Sequence, residues 1–226
     1  MKKEEYIIGI DDAGRGPVIG PMVLAGVLIS KEKERKLKSL GVKDSKMLIH
    51  STRIKLANEI QKLVEDFDII ILQPDEIDKA LSNSFNLNKL EAMMMAKIVN
   101  NLSKERKDKI TIYIDCPSVN IKSWKFYFLE HIDSKENKEF IVEHKADINY
   151  PVVSAASILA KVKREEEVVK LKEMYNIDFG SGYPSDPTTI EWLKKYGKDY
   201  LKYGIIRKSW QTWKNHEKKE KQKELF

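Results

Sequence analysis

Apolar positions fall in short dense runs near the N-terminus and in spaced stripes further on. The runs "YIIGI" (6–10) and "MVLAGVLI" (22–29) are rich in Ile and Val and flank a Gly/Pro-rich stretch, so they predict two strands joined by a loop. "FDIIIL" (67–72), "KITIYIDC" (109–116) and "EFIVEHK" (139–145) predict three more strands. Helical spacing appears in "EKERKLKSL", which stops at Gly41, and in a helix capped by Ser51 or Thr52 with apolar Ile54, Leu56, Ala57, Ile60, Leu63 and Val64. A short helix opens at Pro74, a longer one follows Asn86 through Leu102, and "IKSWKFYFLEHI" predicts another. A long amphipathic helix opens near Pro151 and reaches Tyr175, and Pro187 starts "TTIEWLKKYG".

A strand meander followed by alternating strands and helices points to an α/β fold. It predicts one mixed five-stranded sheet covered by helices on both faces, with a helical C-terminal part. The expected division is a sheet-bearing domain over 1–186 and a helical extension over 187–226. The tail after Lys214 is charged enough to predict fraying or disorder. No internal repeat and no clean linker interrupts the pattern.

Composition narrows the function classes. With 226 residues and 42% hydrophobic content, the chain has material for a real core. The net charge of +6 is uneven: residues 207–226 hold seven Lys or Arg against three Glu, an asymmetry that suits a polyanion. A single cysteine, Cys116, excludes an internal disulfide and a multi-cysteine zinc site. His50, His131, His144 and His216 have no ligand spacing, which leaves a hard metal held by carboxylates as the metallic option. The opening MKKEEY has no signal-peptide core and no apolar run reaches membrane-spanning length, so the expectation is a cytoplasmic monomer without a membrane partner.

Four acids stand where strands end or helices begin. Asp11 and Asp12 close the first apolar run, Asp115 follows "KITIYI", and Asp147 precedes the long helix. In α/β sheets, ligand sites gather beyond strand ends. Converging carboxylates repel and call for a cation, and two magnesium ions would satisfy them. Singly, each has a structural alternative: Asp147 as a helix N-cap, Asp115 as a turn former before Cys116 and Pro117, Asp11 and Asp12 as solvated turn residues. After the first pair comes Gly14-Arg15-Gly16. Its glycines let main chain approach a substrate and its arginine can face phosphate, although a plain chain reversal reads the same locally. It is neither a P-loop nor a dinucleotide fingerprint.

These stretches together resemble one family. "GIDDAGRGPVIGPMV" is similar to the opening motif of ribonuclease HII, usually DEAGRG, and "GVKDSKML" to that family's DSK segment. "YIDCPSVN", "EHKADINYPVVSAASILAKVKRE" and "GSGYPSDP" match its later motifs in order, and "RKSW" resembles the archaeal and eukaryotic-like end, so the likeness runs from about residue 6 to 213. The resemblance implies a three-layer ribonuclease H-like fold. It implies a Mg2+- or Mn2+-dependent endonuclease, using two ions, that cuts the RNA strand of RNA–DNA hybrids and nicks DNA at embedded ribonucleotides, leaving a 3′-hydroxyl and a 5′-phosphate. By the same resemblance Asp11, Asp12, Asp115 and Asp147 are the metal ligands, and Gly14, Arg15 and Gly16 read the ribose 2′-hydroxyl. Tyr183 packs on the sugar, and Ser45 and Lys46 hold phosphate. Lys43, Lys161, Lys163 and Arg164 are further cations that could track the nucleic-acid backbones, or be ordinary surface charge.

One departure stands out: Asp12 occupies the position where the family usually carries Glu. It leaves room for a hybrid-binding module without activity. A different ribonuclease H-like nuclease is opposed by the GRG and GSGYPSDP segments. The last residues contain Gln222 and Leu225, half of a sliding-clamp-binding motif without its paired aromatics.

Overall fold

The computed structural model describes residues 4–42, 49–82 and 85–223. Five strands, β1 (Glu5–Ala13), β2 (Met22–Ser30), β3 (Asp66–Leu72), β4 (Lys109–Asp115) and β5 (Lys138–Glu143), form one sheet in the order β3-β2-β1-β4-β5. β1 runs antiparallel to β2 and parallel to β4, and β4 runs parallel to β5. The sheet is therefore mixed, as the meander followed by crossovers predicts.

Burial explains why β1 reads as a continuous apolar run rather than an alternating one. Ile7, Ile8, Gly9 and Ile10 are all buried, as a central strand covered on both faces requires. A Cβ added at Gly9 would lie 2.3 Å from the Val152 carbonyl carbon, so only glycine lets the start of α7 (Pro151–Tyr175) approach so near. The first ten residues of α7 are buried, with Val152, Val153, Ala155, Ala156, Ile158 and Leu159 among them. The remaining helices up to this point are α1 (Glu34–Ser39), α2 (His50–Leu63), α3 (Pro74–Ser82), α4 (Leu87–Ser103), α5 (Ile121–Glu130) and α6 (Ala146–Asn149). In α4, Leu90, Met95, Ala96, Ile98, Val99 and Leu102 form the buried stripe. In α5, Trp124 and Phe128 are stacked 5.5 Å apart, and Phe128 meets Phe140 of β5 edge-on.

The chain forms two compact units. One comprises Met1–Ala13, Val23–Ile70 and Asn88–Lys163; the other comprises Gly14–Met22, Ile71–Leu87 and Arg164–Phe226. In the second, α8 (Pro187–Tyr200) is capped by Asp186, whose side chain accepts from the Thr188 N–H, with Pro187 in the first turn. Its core joins Val18, Ile19, Phe179, Trp192, Leu193, Ile205, Ile206 and Trp213, and Ile19 bridges Ile206.

Three local expectations need correction. β1 does not stop at Ile10 but continues through both aspartates, because β2 keeps supplying ladder partners as far as Ala13 paired with Val23. α2 starts at His50, capped by Ile49 without a side-chain bond, so Ser51 and Thr52 are helical residues and not the cap. Of the stretch after Lys214, the described residues 215–223 are helical: they belong to α9 (Gln211–Lys223), anchored by Trp213 in its first turn, which is buried in the second unit's core. Among the described residues, no helix is long and apolar enough to cross a membrane.

Candidate active site

In the sheet unit, backbone register sets the carboxylates. Ile10 of β1 pairs with Ile114 of β4 in parallel, so Asp11 and Asp115 follow at the same end of neighbouring strands. Asp11 is buried, while Asp12, next along the ladder opposite Leu24, is half-buried. The Asp12 N–H donates to Asp11 Oδ1 over 2.7 Å. After β5 the chain turns at Lys145, whose φ of 59° places it in the left-handed region, and enters α6. There Asp147 is buried, and the Ala146 N–H donates to Asp115 Oδ1 over 3.1 Å. That bond ties the end of β4 to the turn that carries Asp147. The Ser154 hydroxyl, from the first turn of α7, donates to the Asp147 carbonyl.

This settles two of the structural alternatives. Asp147 is not an N-cap: Lys145 caps α6, and α7 begins at Pro151. Asp11 and Asp12 are not turn residues, since both belong to β1.

The electrostatics are those of crowded acids. Burial pushes the Asp11 carboxyl well above its usual value of 3.8, and the charges of Asp12 and then Asp115 push it the same way. The Ser157 hydroxyl and the Asp12 N–H pull in the opposite direction. Among the described residues, no three His, Cys, Asp or Glu side chains already close into a metal cage. A divalent cation fits here for a physical reason: it would offset the penalty that Asp11 bears when ionised beside two like charges.

The second unit holds the glycine loop. Gly14 has φ +83°, and a Cβ there would sit 2.4 Å from Arg164 Cδ, so both conformation and space demand glycine. Arg164 is buried; its Nη2 donates to the Ser181 carbonyl over 3.2 Å, and its guanidinium lies 4.9 Å from the centre of the Tyr183 ring. Tyr183 in turn flanks Gly16: a Cβ built on Gly16 would be 3.5 Å from Tyr183 Cε1. Arg15 is half-buried and Gly16 is exposed. Arg207 lies fully buried against the same loop, donating from Nη2 to Gly14 O, Nη1 to Arg15 O and Nε to Gly20 O over 2.7, 3.1 and 3.0 Å.

Of the other residues singled out in the sequence, Lys161 is half-buried on α7, and Ser45 and Lys46 lie outside the described residues. Arg164 is no surface cation, because its side chain packs under Tyr183 and beside Gly14. Arg207 was visible only as the first letter of RKSW. A lone arginine among lysines was the available signal, since a planar five-donor fork does what an ammonium cannot.

A mixed five-stranded sheet in the order β3-β2-β1-β4-β5, with acids at the same end of the neighbouring parallel strands β1 and β4, is an α/β fold of the ribonuclease H-like class. Comparison with known proteins makes this particular. The family Ribonuclease HII matches residues 8–213. A Ribonuclease HII of Methanocaldococcus jannaschii is 47% identical, over 97% of this chain and 98% of that one. The ribonuclease H2 structure from Pyrococcus horikoshii superposes with a TM-score of 0.82 at 39% identity, covering 95% of this chain and 98% of that one. A ribonuclease HII from Archaeoglobus fulgidus, solved in complex with PCNA, gives 0.80 at 38% identity, covering 93% and 96%. The chain belongs to the ribonuclease HII family. It is a hydrolytic endoribonuclease with ribonuclease H activity, acting on RNA–DNA hybrids with a divalent metal.

Proposed function

We propose that Asp11, Asp12, Asp115 and Asp147 together hold two divalent ions, Mg2+ or Mn2+, against the scissile phosphate. The observation that carries this reading is Asp11: a buried carboxylate raised by its own burial and by Asp12 and Asp115 beside it. When bound, the ions would supply activation of the attacking water and stabilisation of the leaving 3′-oxygen. The chain's own residues do the rest. The ladder to β2 fixes Asp11, opposite Ala25, and the ladder to β5 fixes Asp115, opposite Glu143. The Ala146 N–H orients Asp115, and α6 presents Asp147. Cleavage leaves a 3′-hydroxyl and a 5′-phosphate.

Substrate choice falls to the loop that follows β1 in the chain. Gly14, Arg15 and Gly16 read the ribose 2′-hydroxyl, the group that separates RNA from DNA. Tyr183 packs its ring on the sugar at an RNA–DNA junction, backed by the Arg164 guanidinium. Ser45 and Lys46 would bind phosphate, and Lys161 would track the nucleic-acid backbone. The test uses a DNA duplex carrying one ribonucleotide and a continuous hybrid, with either metal and with EDTA. The native protein nicks both substrates only with metal. Tyr183→Ala loses roughly ten-fold more on the single-ribonucleotide duplex than on the hybrid, about the worth of one lost stacking contact. Binding without cleavage in either metal would leave a hybrid-binding module. Equal losses on both substrates with a lowered Tm would make Tyr183 a packing residue.

We also propose that the C-terminus docks on a sliding clamp. Gln222 and Leu225 support this, together with the clamp complex of the Archaeoglobus relative. Deleting residues 222–226 removes co-elution with the clamp and leaves cleavage of free duplex unchanged. Co-elution that persists after the deletion rules this docking site out.

A further inference from the structure

Arg207 is among the largest fully buried side chains, and its partners are not scattered. It donates to the carbonyls of Gly14, Arg15 and Gly20. Three residues on, the Trp210 ring lies 4.7 Å from the guanidinium carbon, and its Nε1 donates to the Gly16 carbonyl over 3.2 Å. The Arg207 N–H itself donates to Val18 O over 2.9 Å. The 207–210 segment is pinned in turn by Asp78, which accepts from the Lys208 and Ser209 N–H groups over 2.7 and 2.9 Å. One short segment thus draws the carbonyls of residues 14, 15 and 16 to itself.

The peptide bond turns this into a statement about donors. Among the described residues every peptide bond is trans. In a planar trans peptide, the C=O of one residue and the N–H of the next point to opposite sides. With the Gly14 and Arg15 carbonyls turned to the guanidinium, the N–H groups of Arg15 and Gly16 are directed away from it. The strip ends there, because the next residue is Pro17 and has no N–H. Gly16 is exposed, and Tyr183 flanks it. A carbonyl bonded to a cation also polarises its own peptide, which strengthens the N–H on the far side as a donor.

We propose that Arg207, steadied by Trp210, is the positioning residue for ribose selection: it aims and polarises the paired N–H groups of Arg15 and Gly16 toward a sugar hydroxyl. This rests on the reading of the Gly14–Gly16 loop as the reader of the 2′-hydroxyl. A deoxyribose offers no acceptor at that place, so the pair contributes to ribonucleotide sites and not to DNA.

The test is metal-free binding in EDTA, followed by fluorescence anisotropy, of two duplexes that differ by a single 2′-hydroxyl. The quantity read is the ratio of the two Kd values. Lysine keeps the charge of Arg207 but cannot fork to three carbonyls. Arg207→Lys therefore reduces the preference for the ribonucleotide duplex roughly ten-fold, the worth of one well-directed hydrogen bond, and leaves all-DNA affinity unchanged. Trp210→Phe keeps an aromatic ring over the guanidinium and loses only the bond to Gly16, so it reduces the preference roughly three-fold. A purely structural arginine would lower Tm and both affinities together, with the ratio intact; that result overturns the proposal. Should Arg207→Lys melt below the assay temperature, Trp210→Phe decides alone, and a native ratio in it overturns the proposal. Gly16→Ala separates the two layers, because its methyl enters the exposed loop face at ordinary contact distance from Tyr183. If Gly16→Ala loses the preference while both other variants keep it, the loop is the reader and Arg207 is not its positioning residue. If the native protein shows no preference, the reading of the loop itself fails.

Discussion

Asp11→Asn is expected to lower cleavage by about three orders of magnitude or more while raising the melting temperature of the metal-free protein. The first effect follows from removing a charge from a metal site whose ions supply several kcal/mol to the transition state. The second follows from what the fold does to Asp11. Its carboxyl is buried and raised well above 3.8, first by burial and then by Asp12 and Asp115. A carboxyl raised on folding contributes stability that is complete below its unfolded value, near 3.8, and is lost as pH rises through its folded value. At neutral pH the metal-free protein therefore carries a stressed charge. Asparagine removes that charge and still offers an oxygen to the Asp12 N–H. Melting curves in EDTA from pH 4 to pH 8 should show the native protein losing stability relative to Asp11→Asn across that window. Added metal should reverse the order, because the native site with all four carboxylates binds it more tightly than the site with an amide at position 11. Parallel curves in EDTA would mean that Asp11 is not under charge stress. Near-native turnover in the variant would remove Asp11 from the site.

Both behaviours trace to features that differ in how openly the sequence displays them. The five strands were legible because buried strands are short Ile- and Val-rich runs, and β1 is buried on both faces. The acids were legible as a set, because three separate elements ended in carboxylates at places where α/β sheets put their sites. The extension of β1 through Asp11, Asp12 and Ala13 was not legible, since a polar pair looks like an ending. The ladder continues there because β2 supplies Ala25, Leu24 and Val23 opposite. The helical tail was hidden for the converse reason: a charge-rich composition reads as fraying, but one buried Trp213 holds its first turn. Arg164 and Arg207 were the least legible. Nothing local distinguishes a guanidinium on the surface from one buried among loop carbonyls; the difference is made by partners 193 residues away in the chain, as between Arg207 and Gly14.

Asp12 is expected to work as a ligand despite being one methylene shorter than the family's usual Glu. Its backbone is fixed: it lies within β1, opposite Leu24 of β2, and its N–H is committed to Asp11. The carboxylate cannot advance by moving main chain, so it sits retracted by about one C–C bond from where Glu would reach. Mg2+ holds its ligands at about 2.0–2.1 Å in near-ideal octahedral geometry and keeps waters readily, so a retracted Asp12 carboxylate would still be able to hold the ion, directly or through one of its waters. Mn2+ is more forgiving of imperfect geometry, since its oxygen sites are satisfied over a wider range and this ion binds a given N/O site no less tightly. Native protein is therefore expected to cleave faster with Mn2+ than with Mg2+ at subsaturating metal. Asp12 is half-buried, so an added methylene has solvent on one side to extend into. Asp12→Glu stays active and shifts the metal dependence toward Mg2+. Asp12→Asn keeps the shape, loses the charge, and drops cleavage by about two orders of magnitude, the scale of a weakened cation in the transition state. The measurement is initial rate against concentration of each metal, for all three proteins, on one duplex carrying a single ribonucleotide. Equal rates for Asp12→Asn and native protein would make Asp12 a bystander. A native protein inert in both metals beside an active Asp12→Glu would make the aspartate a lesion, and this chain a binder that has lost its chemistry.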